Sequence, residues 1–353
     1  MKKFLKKWLG PIIIAVTLAA VIIIGLVTKT LPEAIKAVAH ANPLCMLACV
    51  LCYLSFITVN GLSAKSFLKR EGYSLTMREA LLVSMTGVYY SNVTPGAAGG
   101  QPMQIYRLSQ LGVPVGVGSS AIASGFISWH LMRVFLFTGL AIPYWGFIME
   151  NLGGYWPFLL LGYAYNVFFV VMWLIFSFSK KPVAFIVRLA GKIIKKLKLS
   201  KDPDKLLAGM NRTADMFYDS MRHLKSHKGE IFRQLLFGLL YMLSLVSILY
   251  FAYLGVGLRG ATYGELTTMG MGQYISAAYM PTPGASGAQE GLFELYFGRM
   301  MQGSSLLAVM LIWRFMSYYL GLLIGAVVNL AGKKRAKGGV KVSEKSQNDN
   351  GEE

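Results

Sequence analysis

Five charged side chains stand inside otherwise apolar stretches of this 353-residue chain: Arg107 in GQPMQIYRLSQ, Arg133 in SWHLMRVFLF, Arg314 in LIWRFMSYYL, and Glu290 and Glu294 in AQEGLFELYF. Ionisable groups in apolar surroundings are costly and by default mark the path of a ligand or ion. Arginine there suits a phosphate or carboxylate, which its guanidinium can grip through two parallel hydrogen bonds. Two carboxylates one helical turn apart share a face and suit an ammonium group or a proton. Gln101, Gln104 and Gln289 add neutral hydrogen-bonding groups beside them. The competing reading is that Arg133 and Arg314 pair with Glu290, Glu294 or backbone carbonyls and only hold the structure together; the two roles can coexist. No catalytic residue is assigned. The four histidines, His40, His130, His223 and His227, lie in unrelated contexts, and no glycine-rich phosphate loop followed by lysine occurs. No cofactor or metal is expected either, because Cys45, Cys49 and Cys52 fall at helical spacing in one apolar run without polar helpers and read as packing.

The elements that would position these groups are broken. TPGAAGGQ at 94–101 returns as TPGASGAQ at 282–289, and each copy interrupts an apolar run that starts at an acid, Glu79 or Glu265. A proline with two or three glycines stops a helix. In a membrane the freed backbone groups are tolerated only where protein or a water-filled cavity receives them. A matched pair of such interruptions in two halves of a chain points to a transporter's binding site. The limbs around the first break, 79–93 and 101–111, fall short of the roughly 20 residues that cross a bilayer; the limbs of the second are 265–280 and 289–301. Both are read as re-entrant hairpins, with Gly96, Gly99, Gly100, Gly284 and Gly287 at the turning points. Half-helix N-termini after each glycine run would aim free N–H groups at an anion.

A hydrophobic fraction of 55%, with only 14% charged residues and a mean hydropathy of +0.50, excludes an ordinary soluble protein. The net charge of +19 is concentrated in a few segments, which reads as membrane topology rather than nucleic-acid binding. The expected architecture is an all-α polytopic membrane protein with about six full transmembrane helices plus the two hairpins. Residues 1–178 form a first membrane repeat holding hairpin 79–111. Residues 179–233 form a basic cytoplasmic loop, 234–331 a second repeat holding hairpin 265–301, and 332–353 a disordered cytoplasmic tail. Spans are expected at 11–28, 43–62, 117–142, 155–178, 234–256 and 304–330. Lysines before the first span and in the tail put both termini in the cytoplasm. Three spans separate the hairpins, and three is odd, so the hairpins enter from opposite faces as inverted-topology repeats. Within the basic loop, PVAFIVRLAGKIIKKLKL at 182–199 mixes apolar and basic residues at helical spacing and is expected to lie on the anionic inner leaflet.

TPGAAGGQPMQIYRL together with PTPGASGAQEGLFE resembles the paired hairpins in the transmembrane region of the lysylphosphatidylglycerol synthase/flippase family, the multiple peptide resistance factor. The resemblance covers nearly the whole chain, and its specific part is confined to the hairpins and the spans after them. It implies a flippase for phosphatidylglycerol, aminoacylated or not, or for a related anionic lipid in the bacterial plasma membrane. Pro95, Gly96, Gly99, Gly100, Gln101, Arg107, Pro283, Gly284, Gly287, Gln289 and Glu290 would then line the path. The soluble synthase domain of bifunctional members is expected to be missing here, so phosphatidylglycerol lysyltransferase activity is the alternative rather than the leading reading. A third reading is a membrane partner of a lipid-modifying enzyme or glycosyltransferase. A homo-oligomer is left open.

Overall fold

A computed structural model describes residues 30–196, 202–278, 280–332 and 341–342. The span expected at 11–28 and most of the 332–353 tail lie outside the described residues. The rest is an all-α membrane bundle. Its helices are α1 (Leu31–Ala39), α2 (Pro43–Arg70), α3 (Met77–Val93), α4 (Gly100–Gln110), α5 (Val115–Ala141), α6 (Trp145–Leu152) and α7 (Trp156–Phe178). They continue as α8 (Lys180–Lys196), α9 (Pro203–Ser226), α10 (Lys228–Gly255), α11 (Tyr263–Ser276), α12 (Ala288–Phe297), α13 (Gly303–Arg314) and α14 (Leu320–Gly332). Among the described residues, five stretches are long and apolar enough to cross a membrane: Pro43–Arg70, Val115–Ala141, Trp145–Phe178, Lys228–Gly255 and Gly303–Asn329.

Several elements go beyond the expected layout. Besides α8, which matches the helix expected from residue 182 on, the loop at 179–233 holds the 24-residue α9, and the connections between the expected spans near residues 32 and 150 hold α1 and α6. From the tail, β2 (Lys341–Val342) pairs antiparallel with β1 (Tyr73–Ser74).

Side-chain spacing explains how the bundle faces lipid and core. On α2, Leu44, Leu47, Leu51 and Leu54 recur every three or four residues and are all exposed, forming one lipid-facing stripe. The opposite face buries Cys49, Tyr53, Phe56 and Ile57 against α10 residues such as Met242, Ile248 and Leu249. Where helices approach most closely, a small residue permits it. A Cβ on Gly238 of α10 would fall 2.6 Å from the Ser128 carbonyl oxygen of α5, and one on Gly162 of α7 would fall 2.7 Å from the Ile275 carbonyl oxygen of α11. Such contacts are the usual source of association energy between helices in lipid.

The two ends of the bundle are chemically distinct. At the basic end, Glu230 of α10 is fully buried; it accepts from Ser66 (2.9 Å) and Gln234 (2.9 Å) and meets Arg233 at 3.2 Å. At the other end, the Asn42 amide donates to the Gly255 carbonyl, and Arg299 donates to the Glu150 carbonyl. The first hairpin, α3–α4, starts and finishes at the basic end. The second, α11–α12, starts and finishes at the opposite end.

Candidate functional site

Each hairpin begins with the same device. Thr76 caps α3 by accepting from the Glu79 amide (3.3 Å), while the Glu79 carboxylate takes the Thr76 amide (2.8 Å) and hydroxyl (2.8 Å). Thr262 and Glu265 repeat this on α11 at 3.3, 2.7 and 2.8 Å. This reciprocal box satisfies two of the N–H groups a helix start leaves open. It is written in the sequence as TMRE and TYGE, a signal of the repeat that reading from the acids alone passes over.

Both limbs end at a Pro-Gly-Ala turn of matching conformation. Gly96 and Ala97 have φ of +59° and +56°, and Gly284 and Ala285 have +56° and +50°. Two consecutive left-handed residues, one of them alanine, cost energy that the surroundings must supply. Those surroundings are the other break. The Gly96 amide donates to the Pro281 carbonyl at 3.1 Å, and Pro95 pairs antiparallel with Pro283. The tips of the two hairpins therefore touch and satisfy backbone groups that neither can satisfy alone.

The two breaks are not electrostatic equals. In the first, Thr94 Oγ1 accepts from the Gly99 amide (2.8 Å), and Gly100 packs so tightly on Ser91 that a Cβ would meet its hydroxyl at 2.0 Å. In the second, Arg314 Nε donates to Glu290 Oε1 at 2.7 Å, and its Nη2 donates to the Gly284 carbonyl (3.0 Å) and Ser286 hydroxyl (3.2 Å). Glu290 Oε2 takes the Gly287 amide at 2.7 Å. The second half-helix is thus capped by its own carboxylate, and its start is not open to an anionic ligand in the way its glycine run suggested.

Tyr318, which sequence reasoning missed, ties the breaks together. It lies in a single π-helical turn, Phe315–Tyr319, inserted between α13 and α14. Such turns recur at functional sites because the extra residue re-aims its neighbours. The Tyr318 hydroxyl donates to the Asn92 carbonyl just before the first break (3.1 Å), and its carbonyl accepts from Asn92 Nδ2 (3.4 Å). Its ring faces the Arg314 guanidinium at 4.2 Å, and a Cβ on Gly284 would fall 2.0 Å from a ring carbon. Glycine is required at 284 by both φ and space.

Arg133 stands in contrast to Arg314. It is 8% exposed, its Nη1 makes one long hydrogen bond to Asn166 Oδ1 (3.4 Å), and its guanidinium lies 4.8 Å from the Trp129 ring centre. Its Nε has no partner, and no carboxylate pairs with it among the described residues. Asn166 in turn donates to the Gly162 and Ile275 carbonyls, which ties Arg133 to the last turn of α11 just before the second break. Tyr274 sits within electrostatic reach of both Arg133 and Arg314. A buried cation with no carboxylate beside it among the described residues is costly, and the unpartnered Nε of Arg133 is a donor that an anionic group can take.

The remaining sequence candidates divide. Gln289 is buried and accepts from Gln273 through its carbonyl (3.0 Å) and side chain (3.1 Å), bracing the two limbs of its hairpin. Gln104 is buried against Gly87 across the first hairpin, and Gln101 is half-buried on the first turn of α4. Arg107 is buried and donates to Gln110 (3.0 Å). It lies two turns past Gly100, about 10 Å along the helix toward the basic end, and so stands apart from the touching tips. Glu294 is exposed and joins neither arginine among the described residues. Of the two carboxylates expected to act as a pair, only Glu290 reaches the cluster. The cysteines are free, and Cys49 donates to the Ile248 carbonyl from the core, as packing residues would.

Comparison with known proteins agrees with this architecture. A family model described as lysylphosphatidylglycerol synthase TM region matches residues 12–325. Among curated proteins, the chain is 24% identical over 213 residues to a UPF0104 membrane protein of Methanocaldococcus jannaschii, covering 56% of this chain and 58% of that protein. It is 22% identical over 311 residues to a UPF0104 membrane protein of Archaeoglobus fulgidus, covering 83% of this chain and 88% of that protein.

Proposed function

The chain belongs to the family of lysylphosphatidylglycerol synthase transmembrane regions, and from that premise we propose that it moves an anionic phospholipid, phosphatidylglycerol or its aminoacylated form, between the leaflets of the plasma membrane. The observation that carries this reading is the contact of two helix breaks, Gly96 to Pro281, together with a buried arginine, Arg133, that has no carboxylate partner among the described residues and is tied through Asn166 to Ile275 just before the second break. The lipid phosphate binds Arg133, whose fork geometry suits it, while the acyl chains stay in the surrounding lipid. Passage requires the tips to part, and the Arg314–Glu290 pair keeps the second break folded while they do. Glu294, exposed one turn beyond Glu290, meets the amine of an aminoacylated head group or carries a proton. Both termini lie in the cytoplasm, and α8 rests on the anionic inner leaflet. In support of that placement, α8 exposes Phe185 and Leu189 together with Arg188 and Lys192, the mixture that holds a helix in the interface.

The test is leaflet exchange in proteoliposomes holding phosphatidylglycerol labelled on its head group. Wild type accelerates loss of the label to an external quencher over empty liposomes, and Arg133→Gln abolishes the acceleration. Exchange by wild type no faster than in empty liposomes overturns the proposal. The family's description favours one other reading, lysyl transfer to phosphatidylglycerol. Lipid extracts separate the two: new lysyl-lipid made by cells expressing this chain alone supports transfer, whereas a change only in sidedness supports translocation.

A further inference from the structure

At the basic end, away from the breaks, a cavity of about 970 Å³ opens between α5, α7, α8 and α9. Phe176, Val183, Val187, Met210 and Phe217 form its walls, with Leu206, 44% exposed, at its mouth. The two hydroxyls on its lining are already engaged by their own helices: Ser119 donates to the Val115 carbonyl (2.7 Å) and Thr213 to the Gly209 carbonyl (2.9 Å). The hydroxyl protons on the walls are therefore already used, and the rest of the wall is mostly apolar side chain.

Three contacts keep those walls from closing. Gly116 of α5 touches α9 so closely that a Cβ would lie 2.5 Å from the Thr213 carbonyl oxygen. The Tyr218 hydroxyl lies 2.9 Å from the Ser179 carbonyl and 3.2 Å from that of Phe176, fixing α9 to the end of α7. A Cβ on Gly191 of α8 would fall 3.0 Å from the Leu207 side chain of α9. An apolar cavity held open in this way is a poor site for water, and it is at the upper end of the roughly 300–1,000 Å³ typical of small-ligand sites. The chemistry next to it is a leaflet, because two walls belong to spans and a third to α8, whose outer face exposes Phe185 and Leu189.

We propose that this cavity holds one acyl chain of a phospholipid from the adjoining leaflet, with the head group left outside. Charge does not select the lipid here. The rim carries one group of each sign, Lys205 and Asp202, and Asp202 caps α9 by accepting the Lys205 amide at 3.0 Å. Binding is a property of the chain and does not depend on leaflet exchange.

The experiment uses the full chain in nanodiscs containing a phospholipid with a diazirine at the end of one acyl chain, followed by irradiation and peptide mapping. Labelling concentrates on Met210 and Phe217. A Cβ on Gly209 meets nothing within 4 Å, so Gly209→Trp can direct an indole into the space and is expected to lower labelling there about tenfold. Labelling at Phe168, which is 63% exposed to lipid, stays unchanged. Leu206→Glu at the mouth acts in the same direction through a different chemistry, and Gly209→Ala, which leaves the space open, labels as wild type. Equal labelling of Met210 and Phe217 in wild type and both blocking variants, or wild-type labelling no stronger there than at Phe185, overturns the proposal.

Discussion

Removing the charge of Glu290 tests whether the second break is held by an ion pair. Arg314 Nε and Glu290 Oε1 are 2.7 Å apart, with side chains 8% and 10% exposed. At an effective dielectric constant of about 20 the attraction at that separation is about 6 kcal/mol, and desolvation of both ions offsets much of it. Glu290→Gln keeps the shape and an acceptor for the Gly287 amide. The guanidinium is left with the Gly284 carbonyl, the Ser286 hydroxyl and the Tyr318 ring. The expected loss is about 3 kcal/mol, the lower part of the range for breaking a buried pair. Arg314→Gln strands the carboxylate instead and costs about the same. In the double variant neither charge is left uncompensated, so the loss stays near 3 kcal/mol rather than doubling, a coupling of about 3 kcal/mol. Unfolding of the four proteins in one detergent, by heat and by denaturant, measures this. Additive losses near 6 kcal/mol, or single-variant losses below about 1 kcal/mol as in exposed pairs, would refute the reasoning.

Three further outcomes follow from named contacts. Gly284→Ala destabilises by about 3 kcal/mol, because it forces a side chain into both a left-handed conformation and the Tyr318 ring, whereas Gly96→Ala has open space and costs about 1 kcal/mol; melting of the two variants ranks them. Thr76→Ala and Thr262→Ala each cost about 1 kcal/mol and match one another, since the two caps share their geometry; unequal losses in denaturant titrations would contradict that equivalence. Glu230→Ala leaves Gln234 without one of its partners and removes the carboxylate that Arg233 meets; a loss of about 3 kcal/mol is expected in thermal unfolding.

The all-α architecture was legible because membrane crossing imposes length and apolarity, which composition reports directly. Span boundaries in the sequence were set by where apolarity stops, and α2 and α10 run on into charged turns at Lys65–Arg70 and Lys228–Arg233 because buried partners such as Glu230 receive them. The breaks were legible as repeats of Pro and Gly. That they meet follows from the odd number of spans between them, which brings the hairpins in from opposite faces; which backbone groups join them, Gly96 to Pro281 and Pro95 to Pro283, was not legible, because contact between segments almost two hundred residues apart leaves no local pattern. Arg314 and Glu290 were both visible as intramembrane charges, but the pairing of one and the isolation of Arg133 depend on which helix faces which. Tyr318 carried no signal, since one aromatic among many in FMSYY reads as lipid-facing until the π-turn rotates it inward. The α9 helix was hidden in a basic stretch whose charges describe topology more loudly than helical periodicity.

The account turns on two breaks that meet at rest and separate during transport. Antiparallel partners sit about 4.5–5.5 Å apart at Cα, within the roughly 4.4–6.8 Å a disulfide spans, so Pro95→Cys with Pro283→Cys, in a chain whose Cys45, Cys49 and Cys52 are replaced by alanine, places a lock across the contact. Leaflet exchange of labelled phosphatidylglycerol by this protein, measured oxidised and then reduced in the same proteoliposomes, is the direct measurement. The account predicts that the bond forms, that exchange stops, and that reduction restores it. No bond under oxidation, or undiminished exchange with the bond in place, contradicts it.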